Sequence, residues 1–371
     1  MISRIFYPIG QGAFYAEKHN DFTIVYDCGN WKKTNLSEKV VTQNFTSNDT
    51  IDILFISHFD WDHISRIGTL KDTVKEIKCV VLPLLHDDEI ILISNIHRVL
   101  GYNTHTLINN TQAYFGENVK IIYVKPYEDY TEIEKEIYTI GDFYPDTISS
   151  GSSLQLGKAN YNWVFVPYNI FNKSRSKDLS TKLKLAGFDV EKLKSEPDYT
   201  INKIKNTKEK NKIKKAYSEL GGNINQNSMI LYSGCLDNPS SRPHIRWYHK
   251  DLNGIYDYKC CIIDIPREKV SCIYTGDADL NTIDLKSIFR RFWQNVGTIQ
   301  VPHHGSIHNF DASISFSDDM VFPISYGKTN TYGHPSYNVI NRIAESGGST
   351  LSVTESLESG AIQVIRSNEY K

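Results

Sequence analysis

Layered α/β is the class this sequence predicts, and three observations carry it. Short apolar runs of strand length recur along the whole chain. Stretches with apolar residues at helical spacing lie between them, and these are long enough to cover a sheet face. The chain has 371 residues, 40% of them hydrophobic and 23% charged, so it can bury a full core; we read 1–371 as a single domain.

The chain starts with strands. Ile5 to Pro8, Ala13 to Ala16 and Thr23 to Tyr26 are apolar runs separated by Gly10-Gln11-Gly12 and by the polar turn Lys18-His19-Asn20-Asp21. A fourth run, Ile51 to Ile56, reads as a buried strand. A helix is expected to begin within Ile64–Val74, a strand covers Lys78 to Pro83, and Glu89 to Leu100 has helical spacing. Val119 to Val124 and Asn162 to Pro167 are further strands. In the second half we expect strands at Ser228–Tyr232, Lys259–Ile263, Val270–Tyr274 and Thr298–Val301. The polar stretch Asn238–Asn253 reads as a loop or hairpin excursion, and Leu280–Trp293 as a helix. Met320–Ser325, Ser336–Ile343, and Thr350–Val353 with Ala361–Ile365 then read as strand, helix and a terminal strand pair.

Between Lys173 and Lys215 the texture changes. Fourteen Lys/Arg against six Asp/Glu give this segment a net charge of +8, leaving −10 for the rest of a chain whose net charge is −2. Leu179, Leu183, Leu185, Phe188, Val190, Leu193, Ile201 and Ile204 give it helical apolar spacing. It reads as a basic helical insertion at about 170–220 within the domain. Such a stretch serves either as a solvated helix face or as a basic lip that attracts polyanions such as nucleic acid. Tyr199, Tyr217, Trp247 and Tyr248 are candidate stacking faces for bases.

No apolar run reaches the roughly 18–20 residues needed to cross a bilayer, so no membrane partner is expected. The start, MISRIFYPIGQG, lacks a signal-peptide core. The six cysteines (Cys28, Cys79, Cys235, Cys260, Cys261 and Cys272) form no CxxC pair, and several sit in strand-like runs. They read as reduced, buried thiols, and the expected location is the cytoplasm.

Four constellations carry chemistry, and each follows or adjoins an apolar run. His58, Asp60, Asp62 and His63 stand within six positions directly after the Ile51–Ile56 strand. Imidazole nitrogen and carboxylate oxygen suit divalent zinc, manganese or iron, and on a loop such groups can converge on one ion or on two. A helix cap is the plainer role for Asp60 or Asp62. Thr275-Gly276-Asp277-Ala278 puts a carboxylate after a sharp turn. Val301-Pro302-His303-His304-Gly305-Ser306 ends another strand with two adjacent histidines that must point in different directions. Tyr332-Gly333-His334-Pro335 follows Lys328-Thr329-Asn330.

In this order, HxDxDH, TGDA, VPHHGS and YGHP resemble the metallo-β-lactamase-fold hydrolases. The likeness is greatest to the soluble nuclease-like domain of the bacterial competence proteins that take up DNA, and extends to the phosphorylcholine-esterase branch. It spans Gly10 to Pro335, outside the basic insertion and Asn238–Asn253. The resemblance implies a four-layer αββα sandwich with a dinuclear site at the upper edges of two sheets, holding two divalent ions, zinc or manganese. Carried over, His58 and Asp60 would bind one ion and Asp62 and His63 the other. Asp277 would bridge, His303 or His304 would complete the second, and Asp27 would buttress the loop. Asp60 stands where a histidine is commoner in the superfamily, which makes the site harder and more anionic. A further histidine supplied by many members has no clear counterpart; His86 and His105 are available.

The expected activity is a metal-dependent phosphodiesterase or nuclease in which the ions activate a water and neutralise phosphate charge. Asp62 would orient the water or act as base. His334, His304 and Lys328 would stabilise developing charge or protonate the leaving oxygen, and Ser306 and Asn330 would bind phosphate. Hydrolysis of a small phosphodiester, such as a cyclic nucleotide or a choline phosphoester, is the alternative. A lactam or thioester hydrolase and a non-catalytic metal-binding regulatory module are the remaining readings, because one fold hosts many chemistries.

Overall fold

The computed structural model describes residues 1–32, 34–127, 136–140, 145–156, 162–170, 181–195, 199, 203, 206–218, 228–237, 243–250, 261–263, 269–310 and 319–366. Eighteen strands occur among them: β1 (Ile2–Phe6), β2 (Phe14–Lys18), β3 (Thr23–Cys28), β4 (Thr50–Phe55), β5 (Glu76–Pro83), β6 (Lys120–Val124), β7 (Ile137–Ile140), β8 (Thr147–Ile148), β9 (Ser153–Leu156), β10 (Val164–Ile170), β11 (Ser228–Gly234), β12 (His244–Lys250), β13 (Cys261–Ile263), β14 (Ser271–Tyr274), β15 (Val296–Ile299), β16 (Val321–Ser325), β17 (Ser349–Val353) and β18 (Gly360–Arg366). Ten form one sheet in the order β13-β12-β18-β1-β2-β3-β4-β5-β6-β8, and eight the other in the order β17-β16-β15-β14-β11-β10-β9-β7. Both sheets are mixed. β3 to β6 run parallel in the first, and β14 to β17 in the second.

Alternation along each strand sorts side chains into layers. Phe6, Tyr15, Tyr26 and Phe55 from the first sheet meet Trp163, Phe165, Leu231 and Tyr274 from the second. The opposite face of the first sheet, with Val25, Leu54 and Val80, is covered by Val40, Ile67, Leu70 and Ile93 from helices Asn35–Thr42, Ile67–Thr73 and Asp87–Leu100. The opposite face of the second, with Val166, Ile230 and Ile273, is covered by Leu285, Phe289, Val339 and Ile343, around helices Leu285–Ile288 and Tyr337–Glu345. Helices thus lie outside two face-to-face sheets, consistent with the αββα expectation.

A buried polar cluster centred on Arg4 and Glu17 breaks the apolar pattern between the sheets. Arg4 stands opposite Glu17 in the β1–β2 register, fully buried, with its Nε 2.7 Å from the Glu17 carboxylate. It also donates to the Val270 carbonyl at 3.1 Å and to Gln363. Ser233 and Tyr274 of the second sheet donate to Glu17 at 2.7 and 2.9 Å. The buried charge is therefore paired and hydrogen-bonded, as a low-dielectric interior requires, and it ties the sheets together.

Several expectations need correction. Leu280–Trp293 is not one helix. Asp279 accepts from Asn281 N–H and Asp284 caps Lys286 N–H, so side-chain bonds break the segment into turns around the four-residue helix Leu285–Ile288. Its apolar side chains still bury on the sheet. The terminal strands are not a pair. β17 joins β16 in the second sheet, whereas β18 lies between β1 and β12 in the first. The polar stretch Asn238–Asn253 contains β12, in which buried Ile245 and Trp247 alternate with exposed His244 and Arg246. Trp247 and Tyr248 are thereby buried and offer no stacking face; nothing is described of the Tyr217 side chain.

Of the expected insertion, helices Val190–Ser195 and Thr207–Ser218 are described, while Leu179, Ile201 and Ile204 lie outside the described residues. Leu183, Phe188, Val190, Leu193 and Ile213 pack on Leu92 and Ile96 of helix Asp87–Leu100 as a cluster separate from the main core. Leu185 is exposed. Cys28, Cys79, Cys235 and Cys272 are buried free thiols; Cys260 lies outside the described residues. No helix among the described residues is long and apolar enough to cross a membrane.

Candidate metal centre

The C-terminal ends of β3, β4, β14, β15 and β16 lead into the loops that carry the polar constellations. Open α/β sheets bind ligands at such strand ends. Asp27, at the end of β3, has a left-handed backbone with φ 54°. Its carboxylate accepts the Ser57 N–H at 2.7 Å and the Ser57 hydroxyl at 2.6 Å, and it lies 2.8 Å from His63 Nδ1. The Ser57 carbonyl accepts Met229 N–H at 2.8 Å, fastening the loop to the second sheet. Gly29 lets the chain pass: a Cβ there would stand 2.4 Å from the His63 carbonyl carbon.

Hydrogen bonding fixes the orientation of four imidazoles. A carboxylate only accepts, so His63 donates from Nδ1 to Asp27. Ser57 gives its one hydroxyl hydrogen to Asp27, so the 2.8 Å contact between its oxygen and His58 Nδ1 makes His58 the donor. His304 Nδ1 lies 2.8 Å from the Ser325 carbonyl, which again only accepts. Asn309 donates its amide to the Asp277 carbonyl at 3.0 Å and presents its oxygen to His303 Nδ1 at 2.7 Å. In all four rings Nδ1 is the committed donor and Nε2 is the ligating candidate. That is how a surrounding protein presents histidines to a metal.

Three of those Nε2 atoms meet carboxylates. His63 Nε2 lies 3.1 Å from one Asp277 oxygen, and His58 Nε2 lies 3.8 Å from the other. His304 Nε2 is 3.0 Å from Asp62 Oδ2, and His58 Nε2 is 3.6 Å from Asp60 Oδ2. Among the described residues, two groups have ligand atoms mutually within 4.8 Å: His58, His63 and Asp277, and Asp62, His63 and His304. His58 Nε2, His63 Nε2 and Asp277 Oδ2 are buried without a hydrogen-bond partner. A buried polar atom left so costs about 1–3 kcal/mol, and a divalent cation would satisfy all three at once. The donor set of imidazole and carboxylate fits zinc or manganese.

Charge tells the same story. Burial alone would raise the Asp277 carboxyl, but His63, His303 and His58 hold it well below the usual carboxylate range. Asp62 is likewise opposed by burial and held down by His304 and His63. Burial would lower His63, yet Asp277 and Asp27 lift it well above its ordinary value; His304 is lifted by its bond to Asp62. The cluster therefore attracts positive charge, from protons or from cations. His334 differs. Burial, then His303 and His304, push it down to about 4, so it is a neutral imidazole at pH 7 and a poor proton donor.

The placement of the other expected residues is uneven. Asp60 occupies the N-cap position of helix Trp61–Ile64 without a side-chain capping bond and faces His58. Asp60 and His303 belong to neither three-ligand group, although the His303 ring lies 5.2 Å from that of His334. Asp62, His63 and His304 stand together in one group, and His63 also stands in the other, beside His58 and Asp277. Asn330 is a brace: its amide donates to the Gly327 and His334 carbonyls, and its oxygen accepts Tyr332 and His334 N–H. Its bonding capacity is used, which removes it as a phosphate donor. Lys328 reaches Ser356 and is exposed, and the Ser306 hydroxyl accepts His308 N–H. His86 precedes helix Asp87–Leu100 and His105 opens a short helix; neither is in a three-ligand group.

Sequence reasoning missed Ser57, Asn309 and Gln300. Gln300 Oε1 accepts both Thr275 N–H and Gly276 N–H at 2.9 Å and so sets the turn that presents Asp277. Ser57 and Gln300 lie beside the motifs and Asn309 six residues beyond His303, so adjacency was the available signal.

The family model described as the metallo-beta-lactamase superfamily matches residues 9–86, which include Asp27 and the whole His58–His63 loop. No curated protein matches the chain.

Proposed function

We propose that this protein is a metal-dependent hydrolase that cleaves phosphodiester bonds. The observation that carries the proposal is the convergence of the oriented Nε2 atoms of His58, His63 and His304 on Asp62 and Asp277, with three of the facing atoms buried and unsatisfied. Bound divalent ions would supply an activated water and neutralise phosphate charge. Asp27 and Ser57 hold His63 and His58 in the ligating tautomer, and Asn309 and the Ser325 carbonyl do so for His303 and His304. Asp62 is the acceptor placed to orient an attacking water or take its proton. His334, neutral and beside His303, suits a hydrogen-bonding role.

The order of the four motifs, running from His58 to His334, supports a phosphodiester substrate. Lys208, Lys212 and Lys215 on helix Thr207–Ser218 support nucleic acid as the polymer carrying it. The decisive experiment is incubation with manganese or zinc and single-stranded DNA, duplex DNA, RNA and cyclic nucleotides, with Asp62→Ala as control. Metal-dependent cleavage lost in the variant is expected. A wild type that binds metal and cleaves none of them overturns the reading.

A further inference from the structure

Beside the metal centre lies a cavity of about 330 Å³ that no step above uses. Gln11, Asn30, Trp31, Thr331, Tyr332 and Glu355 are among its lining residues. The geometry points to a subsite for a nucleobase of the substrate, and this inference rests on the phosphodiester reading.

Three observations place and shape it. First, it is built from the segments that hold the metal centre. The 327–334 loop, braced by Asn330, forms one wall, and its rings form a path: Tyr332 lies 5.9 Å from His334, and His334 lies 5.2 Å from His303. On the other wall, Asn30 N–H donates to Ser65 at 2.9 Å, just beyond the His58–His63 loop. The cavity is thus joined to the segments around the centre by Tyr332 and Asn30.

Second, two large rings line it without being buried. Trp31 is 43% exposed and Tyr332 is 60% exposed, whereas most other aromatics among the described residues are buried or half-buried. Ring faces bind flat heterocycles by stacking, at about 1–3 kcal/mol per base. A cavity of this size lies at the lower end of the roughly 300–1,000 Å³ range of small-molecule sites, room for a base and part of its sugar.

Third, its polar groups suit a ring edge that both donates and accepts. Gln11 accepts Gly327 N–H with Oε1, which leaves its amide hydrogens as donors. Asn30 is 6% exposed and its Oδ1 has no hydrogen-bond partner; Thr331 adds a hydroxyl. A quaternary ammonium fits less well. Lys32 lines the same cavity, and both Glu355 oxygens are engaged by Lys328 N–H.

The test compares thymidine 5′-(p-nitrophenyl phosphate) with methyl p-nitrophenyl phosphate, which lacks a base, in the presence of manganese. The base-bearing ester is expected to have a KM at least tenfold lower, and Trp31→Ala or Tyr332→Ala to cut that preference at least fivefold, mainly through KM. A wild type without the preference, or folded variants that retain it, overturns the subsite. Equilibrium dialysis separates this outcome from failure of the hydrolase reading. If neither ester is hydrolysed, wild type should still bind thymidine 5′-monophosphate at least fivefold more tightly than ribose 5-phosphate or phosphocholine, and Trp31→Ala should lose that margin. Equal binding, or tighter binding of phosphocholine, removes the nucleobase assignment.

Discussion

The Asp27 carboxylate lies 2.8 Å from His63 Nδ1, and the opposite nitrogen of the same ring lies 3.1 Å from Asp277. One buried imidazole thus couples a strand end of the first sheet to a loop of the second. Asp27→Asn should keep the fold but replace an obligate acceptor with an amide that permits the wrong His63 tautomer. Metal affinity is expected to fall about 10- to 100-fold. Titration against a chromogenic chelator measures it; unchanged affinity would mean that Asp27 does not orient His63.

Metal content should follow the two clusters. Wild type is expected to hold two divalent ions per chain, and Asp277→Ala to lose at least one. An ion present at 100 times its Kd should stabilise the native state by about 2.7 kcal/mol, raising Tm in a way that a chelator reverses. Elemental analysis and a melting curve read both effects. A Tm indifferent to zinc and manganese argues against the site.

Glu17 sets an acid limit on stability. Burial alone would push its carboxyl up, but Arg4 and His19 hold it at about 2, against 4.5 for the free group. A folded pKa below the unfolded one gives stability that is complete above about pH 4.5 and lost as pH falls toward 2. The loss should be on the order of 3 kcal/mol, seen in urea midpoints measured across that window. A flat profile between pH 5 and 2.5 would contradict the pairing.

The same pair makes a mutational prediction. Glu17→Ala strands Arg4 between the sheets and should destabilise by about 3–5 kcal/mol. The double variant Arg4→Met/Glu17→Leu removes both charges and should recover much of that loss. Equal destabilisation by the single and double variants would show that the hydrogen bonds from Ser233 and Tyr274 matter more than the charge balance.

Gly29→Ala and Gly101→Ala separate crowding from backbone strain. At Gly29 the added methyl would meet the His63 backbone, whereas at Gly101, with φ 81°, nothing lies within 4 Å. The first should cost about 1–3 kcal/mol and weaken metal binding; the second should cost about 1 kcal/mol and leave metal binding unchanged. Parallel chelator titrations of the two proteins decide it.

Strand positions and the His58–His63 cluster were legible in the sequence because buried strands are apolar runs and the ligands follow one of them directly. Asp277 and the histidine pair were legible as strand ends, though not their grouping, since spacing does not say that His304, and not His303, approaches Asp62. The strand β12 was hidden because its inner face holds only Ile245 and Trp247, while its outer face carries His244 and Arg246 beside Tyr248. The Leu280–Trp293 segment misled because its apolar residues bury as a helix's would, while Asp279 and Asp284 claim the backbone. The bracing role of Asn330 was invisible, because an asparagine beside a motif gives no sign that all its hydrogen bonds go to its own loop.

The position of β18 has a consequence for synthesis. Because it lies between β1 and β12, the first sheet stays divided until Gly360–Arg366 have been made. On the ribosome β1 waits with one edge open while roughly 350 further residues emerge, an exposed edge of the kind that chaperones shield and that aggregates when they do not. Protease resistance of the N-terminal strands should accordingly arise only in nascent chains long enough to have released β18.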